Sequence, residues 1–268
     1  MINLTKKIRR YFIDYRYPID FYFLSFPKSG RTWIRLFLTK YYSFYCGKNY
    51  ELDLENINLY NILPRIRFTH MGSGGMAKIR NLDKSIIANK RHIQKLKFAM
   101  SSKKLIYLSR NPIDVFVSYF HHLTKRNIPT SSKIDFSNIS AGELLRTEEY
   151  GIRNILEYDK YWKEYVSKHP QSYSIKYEDF KLEPHSSFTN LLHFLGLEVD
   201  SEKVSQAIDY TRIDKMRIKY KTGDKRLSPK VPEDINSFKF RRGIIGSYKD
   251  ELSAEEIEYC NMIISDYD

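Results

Sequence analysis

The chain has 268 residues, a net charge of +13, and a composition that is 42% hydrophobic and 29% charged, as in soluble globular proteins. That length admits one large α/β domain or two small ones, while only two cysteines, Cys46 and Cys260, exclude a disulfide scaffold and fit a reducing compartment. No apolar run nears the roughly 20 residues that span a bilayer.

Residues 1–19 read as an N-terminal extension. Met1 to Arg16 alternates apolar and basic residues without the continuous hydrophobic core of a signal peptide. Ile2, Ile8, Phe12 and Ile13 fall on or near one side of a short basic amphipathic helix, which suits packing on the domain more than resting on an anionic membrane surface. Further on, short apolar runs predict buried strands at 21–25, 65–69, 104–109 and 172–176. Amphipathic spacing predicts helices over 32–45, 84–98, 112–125, 152–168, 184–196, 201–210 and 253–264. Strands alternating with helices imply a single α/β domain over 1–268, with a mostly parallel central sheet flanked by helices. In such sheets ligands bind outside the carboxyl ends of the strands.

The first strand runs into Phe26-Pro27-Lys28-Ser29-Gly30-Arg31-Thr32-Trp33 and then an amphipathic stretch. A tight turn there leaves backbone N–H groups unpaired at a helix N-terminus beside Lys28, Ser29 and Thr32, an arrangement that attracts an anion. It lacks Walker spacing, because Lys28 precedes Gly30 by two positions. The same residues also fit a plain strand-turn-helix with a surface lysine. After the third strand, Arg110 sits at the strand tip, Asn111 can cap, Pro112 suits the first helical position, and Asp114 and Ser118 share a helix face. Arg110 carries a planar fork matched to phosphate oxygens, although a capped helix with a surface arginine reads the same way.

Charge is concentrated rather than spread. Segment 217–243 carries Arg217, Lys219, Lys221, Lys225, Arg226, Lys230, Lys239, Arg241 and Arg242 against three acids. This suits a small multiply charged anion or, alternatively, nucleic acid. Cys260 reads as a buried small residue, and His121 and His122 as helix-face or pocket-lining residues.

Taken in order, Pro27-Lys28-Ser29-Gly30-Arg31-Thr32-Trp33 and Arg110-Asn111-Pro112-Ile113-Asp114-Val115-Phe116-Val117-Ser118-Tyr119 resemble the sulfotransferases that use 3′-phosphoadenosine 5′-phosphosulfate (PAPS), above all the cytosolic branch. Ile66-Arg67-Phe68-Thr69-His70, Tyr177-Glu178-Asp179-Phe180-Lys181, which resembles a turn of the family, and Phe240-Arg241-Arg242-Gly243-Ile244-Ile245-Gly246-Ser247-Tyr248-Lys249 extend the resemblance from about residue 20 to the C-terminus. It implies a sulfotransferase domain with a P-loop-like phosphosulfate-binding turn and a basic cofactor-binding loop over 217–249. It implies PAPS as donor, 3′-phosphoadenosine 5′-phosphate (PAP) as product, no bound metal, and a cytoplasmic enzyme.

The resemblance implies residue roles too. His70 would be the general base and Lys28 would stabilise the leaving phosphate, with Ser118 counted beside them. Lys28, Ser29, Gly30, Arg31 and Thr32 would hold the phosphosulfate. Arg110, Ser118, Arg241, Arg242 and Gly243 would hold the 3′-phosphate, and Trp33, Tyr177, Thr211 and Ile213 would surround the adenine.

Several positions depart from the family pattern. Phe68 stands where many relatives carry lysine, Arg31 where threonine is common, and Ile213 where phenylalanine often stacks on adenine. Ser247 and Tyr248 replace aspartate and tryptophan, and Lys249, Ser253, Ala254 and Glu258 only loosely echo a dimerisation motif, so a monomer or weak homodimer is expected. The acceptor, a hydroxyl or amine of a small molecule, lipid or sugar, would be chosen by loops around 44–63, 71–83 and 124–150. A flexible lid is expected at Met71-Gly72-Ser73-Gly74-Gly75-Met76, with ring walls from Phe44, Tyr45, Tyr60, Phe68, Tyr119 and Phe120. The alternative is a non-catalytic nucleotide or nucleic-acid binder that uses the basic segments.

Overall fold

A computed structural model describes residues 19–45, 63–70, 73, 93–125, 134–221 and 241–267. Its centre is a four-stranded sheet of β1 (Phe21–Ser25), β2 (Ile66–Thr69), β3 (Lys104–Ser109) and β4 (Ser172–Lys176), in the order β2-β1-β3-β4. Every pairing is parallel: Phe21 lies opposite Ile66 and Lys104, and Ser109 opposite Lys176. The four carboxyl ends therefore share one edge, where Phe26, His70, Arg110 and Tyr177 follow their strands.

Alternation along the two central strands assigns the faces. Tyr22, Leu24, Leu105 and Tyr107 pack beneath α2 (Pro112–Lys125), α4 (Ile152–Ser167) and α9 (Ala254–Ser265), through Phe116, Trp162 and Ile263. Phe21, Phe23, Ile106 and Leu108 face α1 (Arg31–Tyr45), α6 (Pro184–Phe194) and α7 (Ser201–Tyr210), through Phe37, Phe188, Leu191 and Val204. Cys260 is buried on the first face, and burial pushes its thiol up to about 12.

The long elements lie within a residue or two of the sequence expectation. The expected helix over 84–98 is helical where described, at 93–100, and residues 84–92 lie outside the described residues. Three short helices were not anticipated: α3 (Ala141–Leu145), α5 (Tyr177–Leu182) and α8 (Ile213–Lys221). The first two span under two turns, too short for a 3.6-residue hydrophobic period to register. Tyr177 to Lys181, expected as a turn, thus starts a helix directly after β4. Residues 217–221 of the basic segment expected as loop continue α8, and Ser247–Asp250 forms a 3₁₀ turn. Residues 1–18 and 222–240 lie outside the described residues. Among the described residues no helix is long and apolar enough to cross a membrane.

Phe188 ties the second core face to the strand-end edge. Its buried ring stacks on Phe37 at 3.6 Å between centroids and meets Phe180 and Trp33 edge-on at 4.7 and 5.4 Å. Phe188→Ala should lower unfolding free energy by about 3–5 kcal/mol, read from urea melts; a loss below about 1 kcal/mol would show that the ring is not a core member.

Candidate active site

The turn after β1 is held in an unusual backbone conformation. Lys28 has φ +74°, in the left-handed region that non-glycine residues enter at a cost of about 1–3 kcal/mol. Gly30 has φ +102°, and a β-carbon there would lie 2.4 Å from Cδ2 of Tyr177. Only glycine satisfies both the torsion and the ring packed against it. The N–H of Ser29 donates to the Phe26 carbonyl at 3.4 Å and that of Trp33 to the Gly30 carbonyl at 2.9 Å. Helix α1 starts at Arg31 with no acid in its first turn, so its positive end faces outward uncompensated by its own residues.

Arg110 crosses to this turn from β3. Its Nη1 donates to the Lys28 carbonyl at 3.2 Å, its guanidinium lies 4.4 Å over the Tyr177 ring, and Nη2 stands 3.8 Å from Asp114 Oδ2. Its Nε is buried without a hydrogen-bond partner. Asn111 caps α2 by accepting from the N–H groups of Ile113 and Asp114, and its own N–H donates to Glu178 Oε1 at 2.8 Å. The buried Asp114 carboxylate accepts from the N–H of Gly246 at 2.8 Å and of Tyr248 at 3.4 Å, which fastens the C-terminal segment beside Arg110. In that segment Arg241 pairs with Glu251 at 2.6 Å and Arg242 with Asp250 at 2.6 Å, while Glu251 also meets His121 Nε2 at 2.6 Å. Gly243, at φ +66°, leaves room for Ile213, whose Cδ1 would be 2.6 Å from a β-carbon there.

Trp33 forms a wall between these groups. Its indole N–H donates to Thr211 Oγ1 at 3.1 Å, and Tyr177 meets its ring edge-on at 5.8 Å. The Thr211 hydroxyl in turn reaches the Ala207 carbonyl at 3.1 Å, so it is engaged within the protein.

His70 follows β2, and its Nδ1 lies 2.7 Å from the Ser25 carbonyl oxygen. That oxygen also accepts from the Tyr158 hydroxyl at 2.9 Å. Burial, then the charges of Arg31, Lys28 and Arg35, depress the imidazole from its usual 6.5 to about 3 despite the Ser25 contact, so the ring is neutral at physiological pH. A carbonyl can only accept, so Nδ1 carries the proton and Nε2 keeps its lone pair. Beyond His70, the Ser73 N–H donates to its carbonyl at 3.0 Å, and the Asn154 side-chain amide donates to the Ser73 carbonyl at 3.0 Å.

A cavity of about 1010 Å³ joins these groups. Lys28, Gly30, Arg31, Thr32, Trp33, His70, Arg110, Ser118, Tyr177, Thr211, Ile213, Arg241, Arg242 and Gly243 all line it. Of the residues given catalytic or donor-binding roles from sequence, Ser29 alone is not in the wall; it is buried. Of the expected ring walls, Tyr119 lines the cavity, whereas Phe68 is outside the lining and packs on Phe23 with the Arg35 guanidinium 5.0 Å above it. Phe44 instead carries Lys40 over its ring, Tyr45 donates to the Glu198 carbonyl, Phe120 packs on the first core face, and none of the three lines the cavity. They lie where helix rotation, not local composition, places them. Tyr60 and the lid residues other than Ser73 lie outside the described residues.

Sequence reasoning passed over Arg35, Tyr158, Lys181 and Glu251. Arg35 had a signal, being four residues after Arg31 on one helix face. The others reach the site only through tertiary packing.

Gly30→Ala should cost more than the strain alone, roughly 1–3 kcal/mol, in thermal or urea melts. Adding Tyr177→Ala should recover part of that loss by removing the clash but not the torsion; full recovery would show that the backbone is unstrained. Because His70 resists a proton that the unfolded chain accepts, its contribution to stability is present above about pH 6.5 and lost as pH falls toward 3. Histidine NMR should therefore show His70 as the neutral Nδ1–H tautomer throughout pH 5–8; a midpoint near 6.5 contradicts the described environment.

The "Sulfotransferase domain" family model matches residues 18–266. Sulfotransferase 1A1 of Bos taurus is 26% identical over 252 residues, covering 90% of this chain and 81% of the relative. Sulfotransferase 1E1 of Bos taurus is 28% identical over 243 residues, covering 88% and 79%. Mouse sulfotransferase SULT7A1, crystallised with PAP, superposes with a TM-score of 0.58 at 18% identity over 93% of this chain and 84% of that one. Retinol dehydratase, solved with androsterone and inactive cofactor PAP, gives a TM-score of 0.59 at 16% identity over 94% and 81%. The chain belongs to the sulfotransferase family.

Proposed function

We propose that this enzyme moves a sulfuryl group from PAPS to the hydroxyl of a small acceptor, with His70 as general base. The observation that carries the reading is one cavity lined by a phosphate-type turn, the guanidinium groups of Arg110, Arg241 and Arg242, and a neutral imidazole whose Nδ1 is held by the Ser25 carbonyl.

The residues fit such a donor. The orphaned Nε of Arg110, the open N-terminus of α1 and the glycine-only contact at Gly30 all suit close approach of an anion. Backbone N–H groups and hydroxyls at Lys28 to Thr32 would hold the 5′-phosphosulfate. Arg110, Ser118, Arg241, Arg242 and the N–H of Gly243 would hold the 3′-phosphate, with Glu251 and Asp250 orienting the two C-terminal arginines beforehand. Trp33, Ile213 and Tyr177 would flank the adenine.

In the reaction His70 Nε2 takes the acceptor's proton as its oxygen forms a bond to sulfur, and the bond from sulfur to the bridging oxygen breaks with its electron pair leaving on PAP. Lys28 neutralises the charge that grows on that oxygen, which is transition-state stabilisation by a group already in place. Burial and, after it, the positive neighbours of His70 keep its Nε2 unprotonated in the absence of ligand, and the incoming phosphosulfate, being negative, offsets the effect of those charges and raises its basicity.

Transfer of labelled sulfate to an acceptor library tests the reading, together with titration of PAP against ATP. His70→Ala should lower kcat by about 10²–10⁴ and Lys28→Ala by about 10² or more. Arg110→Ala should weaken PAP by about 10–100-fold. Equal affinity for PAP and ATP, or His70→Ala turning over at the wild-type rate, would sink it in favour of a non-catalytic nucleotide or nucleic-acid binder.

A further inference from the structure

Helix α2 presents Asp114, Ser118 and His121 on one face, at spacings of four and three residues, and all three line the cavity. The C-terminal segment is fastened to that face at both ends. Asp114 accepts from the Gly246 and Tyr248 N–H groups, and two turns along the helix His121 Nε2 meets Glu251 Oε2 at 2.6 Å. A carboxylate can only accept, so Nε2 carries the proton. Nδ1 of the same ring is buried and makes no hydrogen bond among the described residues, which leaves Glu251 as the ring's polar attachment. Glu251 stands on well-fastened backbone: its N–H donates to the Tyr248 carbonyl at 3.0 Å, and just beyond it Ser253 and Glu256 form the capping box of α9. Its Oε1 pairs with Arg241 Nη2 at 2.6 Å and lies 3.9 Å from Arg242 Nε. Although burial raises it, the contacts with Arg241 and His121 carry the Glu251 carboxyl below its usual range, so it is ionised at neutral pH. A fully exposed pair would be worth little, but the His121, Glu251 and Arg241 side chains are only 18%, 14% and 13% exposed.

We infer that His121 and Glu251 are positioning residues that make the enzyme select a nucleotide carrying a 3′-phosphate over one that lacks it. This rests on the donor reading above, in which Ser118 and Arg241 both hold that phosphate. Ser118 lies between the two fastening points on α2, and Arg241 lies on the segment they fasten, so the clamp sets the spacing of the two groups. Arg241 stands on backbone without regular secondary structure. A long side chain there loses rotamer freedom when it grips an anion; the pairing with Glu251 moves that cost from binding to folding. A carboxylate this close to a bound phosphate would by itself repel it. Here Oε2 is taken by His121 and Oε1 by Arg241, and the imidazole rather than the carboxylate lines the cavity. A nucleotide without the 3′-phosphate uses neither Ser118 nor Arg241 and is indifferent to their spacing.

The test is calorimetric titration with PAP and with adenosine 5′-phosphate, which lacks the 3′-phosphate, on wild type, His121→Phe, His121→Gln and Glu251→Gln. Wild type should bind PAP at least about tenfold more tightly than adenosine 5′-phosphate. His121→Phe keeps a ring and removes the donor, so PAP should weaken about five- to tenfold while adenosine 5′-phosphate binds as before. His121→Gln, whose amide N–H reaches the Nε2 position, should keep the wild-type preference, which a space-filling role for the ring does not predict. Glu251→Gln keeps the outline and removes the charge; it should lower the preference for PAP in the same way, and it carries the test should His121→Phe not fold. Equal weakening of both nucleotides makes the pair a structural support and overturns the proposal. So does an unchanged preference in His121→Phe or Glu251→Gln, a glutamine at 121 as weak as the phenylalanine, or tighter PAP binding in Glu251→Gln, which would make the carboxylate a net repulsion. Wild-type protein without a preference for PAP defeats the donor reading itself, and is recognised before any variant is made.

Discussion

The Tyr177 ring holds the strand-end edge together. One side packs against the backbone of Gly30 so closely that a β-carbon there would sit 2.4 Å away, and the Arg110 guanidinium lies 4.4 Å from its centroid. The three residues come from the ends of β1, β3 and β4, so this contact sets how three separate connections lie relative to one another. The left-handed turn at Lys28, the Arg110 bond to the Lys28 carbonyl and the Glu178 bond to Asn111 join the same three connections. Parallel strands make the arrangement possible, because they deliver every carboxyl end to the same edge.

A second constraint is electrostatic. Cations gather around one cavity, and the protein manages their repulsion differently at its two ends. Around Arg110, Arg241 and Arg242 the charges are balanced by Asp114, Glu251 and Asp250, which also fix the arginines in position. Near His70 burial, and after it the charges of Arg31, Lys28 and Arg35, hold the imidazole neutral, while the Ser25 carbonyl selects its tautomer. Tyr158 shares that carbonyl, so the imidazole is oriented from the core rather than from a loop. Such a site is preorganised: its dipoles and protons are in place before ligand arrives.

Much of this was legible from residue order. Alternating apolar residues at 21–25 and 104–109 marked strands buried on both faces, and those residues divide between the two cores as their period demands. Lys28, Gly30, Arg31 and Thr32 of the turn, Arg110 at the strand tip, and Arg241 and Arg242 of the late basic segment line a single cavity. Phe44 and Tyr45 were assigned to the acceptor wall on composition, yet face elsewhere, because a ring's direction depends on helix rotation. Tyr177 was taken for a turn residue, although a six-residue helix begins there; one and a half turns carry no readable period.

Sequence by itself determined the order of strands and helices, the phosphate-type turn, and the set of residues able to handle a multiply charged anion, since these depend on local period and side-chain chemistry. Only the tertiary structure decided the proton on His70, the partners of the C-terminal arginines and the place of Arg35 above Phe68. Each of those depends on burial and on charges brought within a few ångströms from distant parts of the chain, and the strength of both effects is set by separation in space, which residue order does not record.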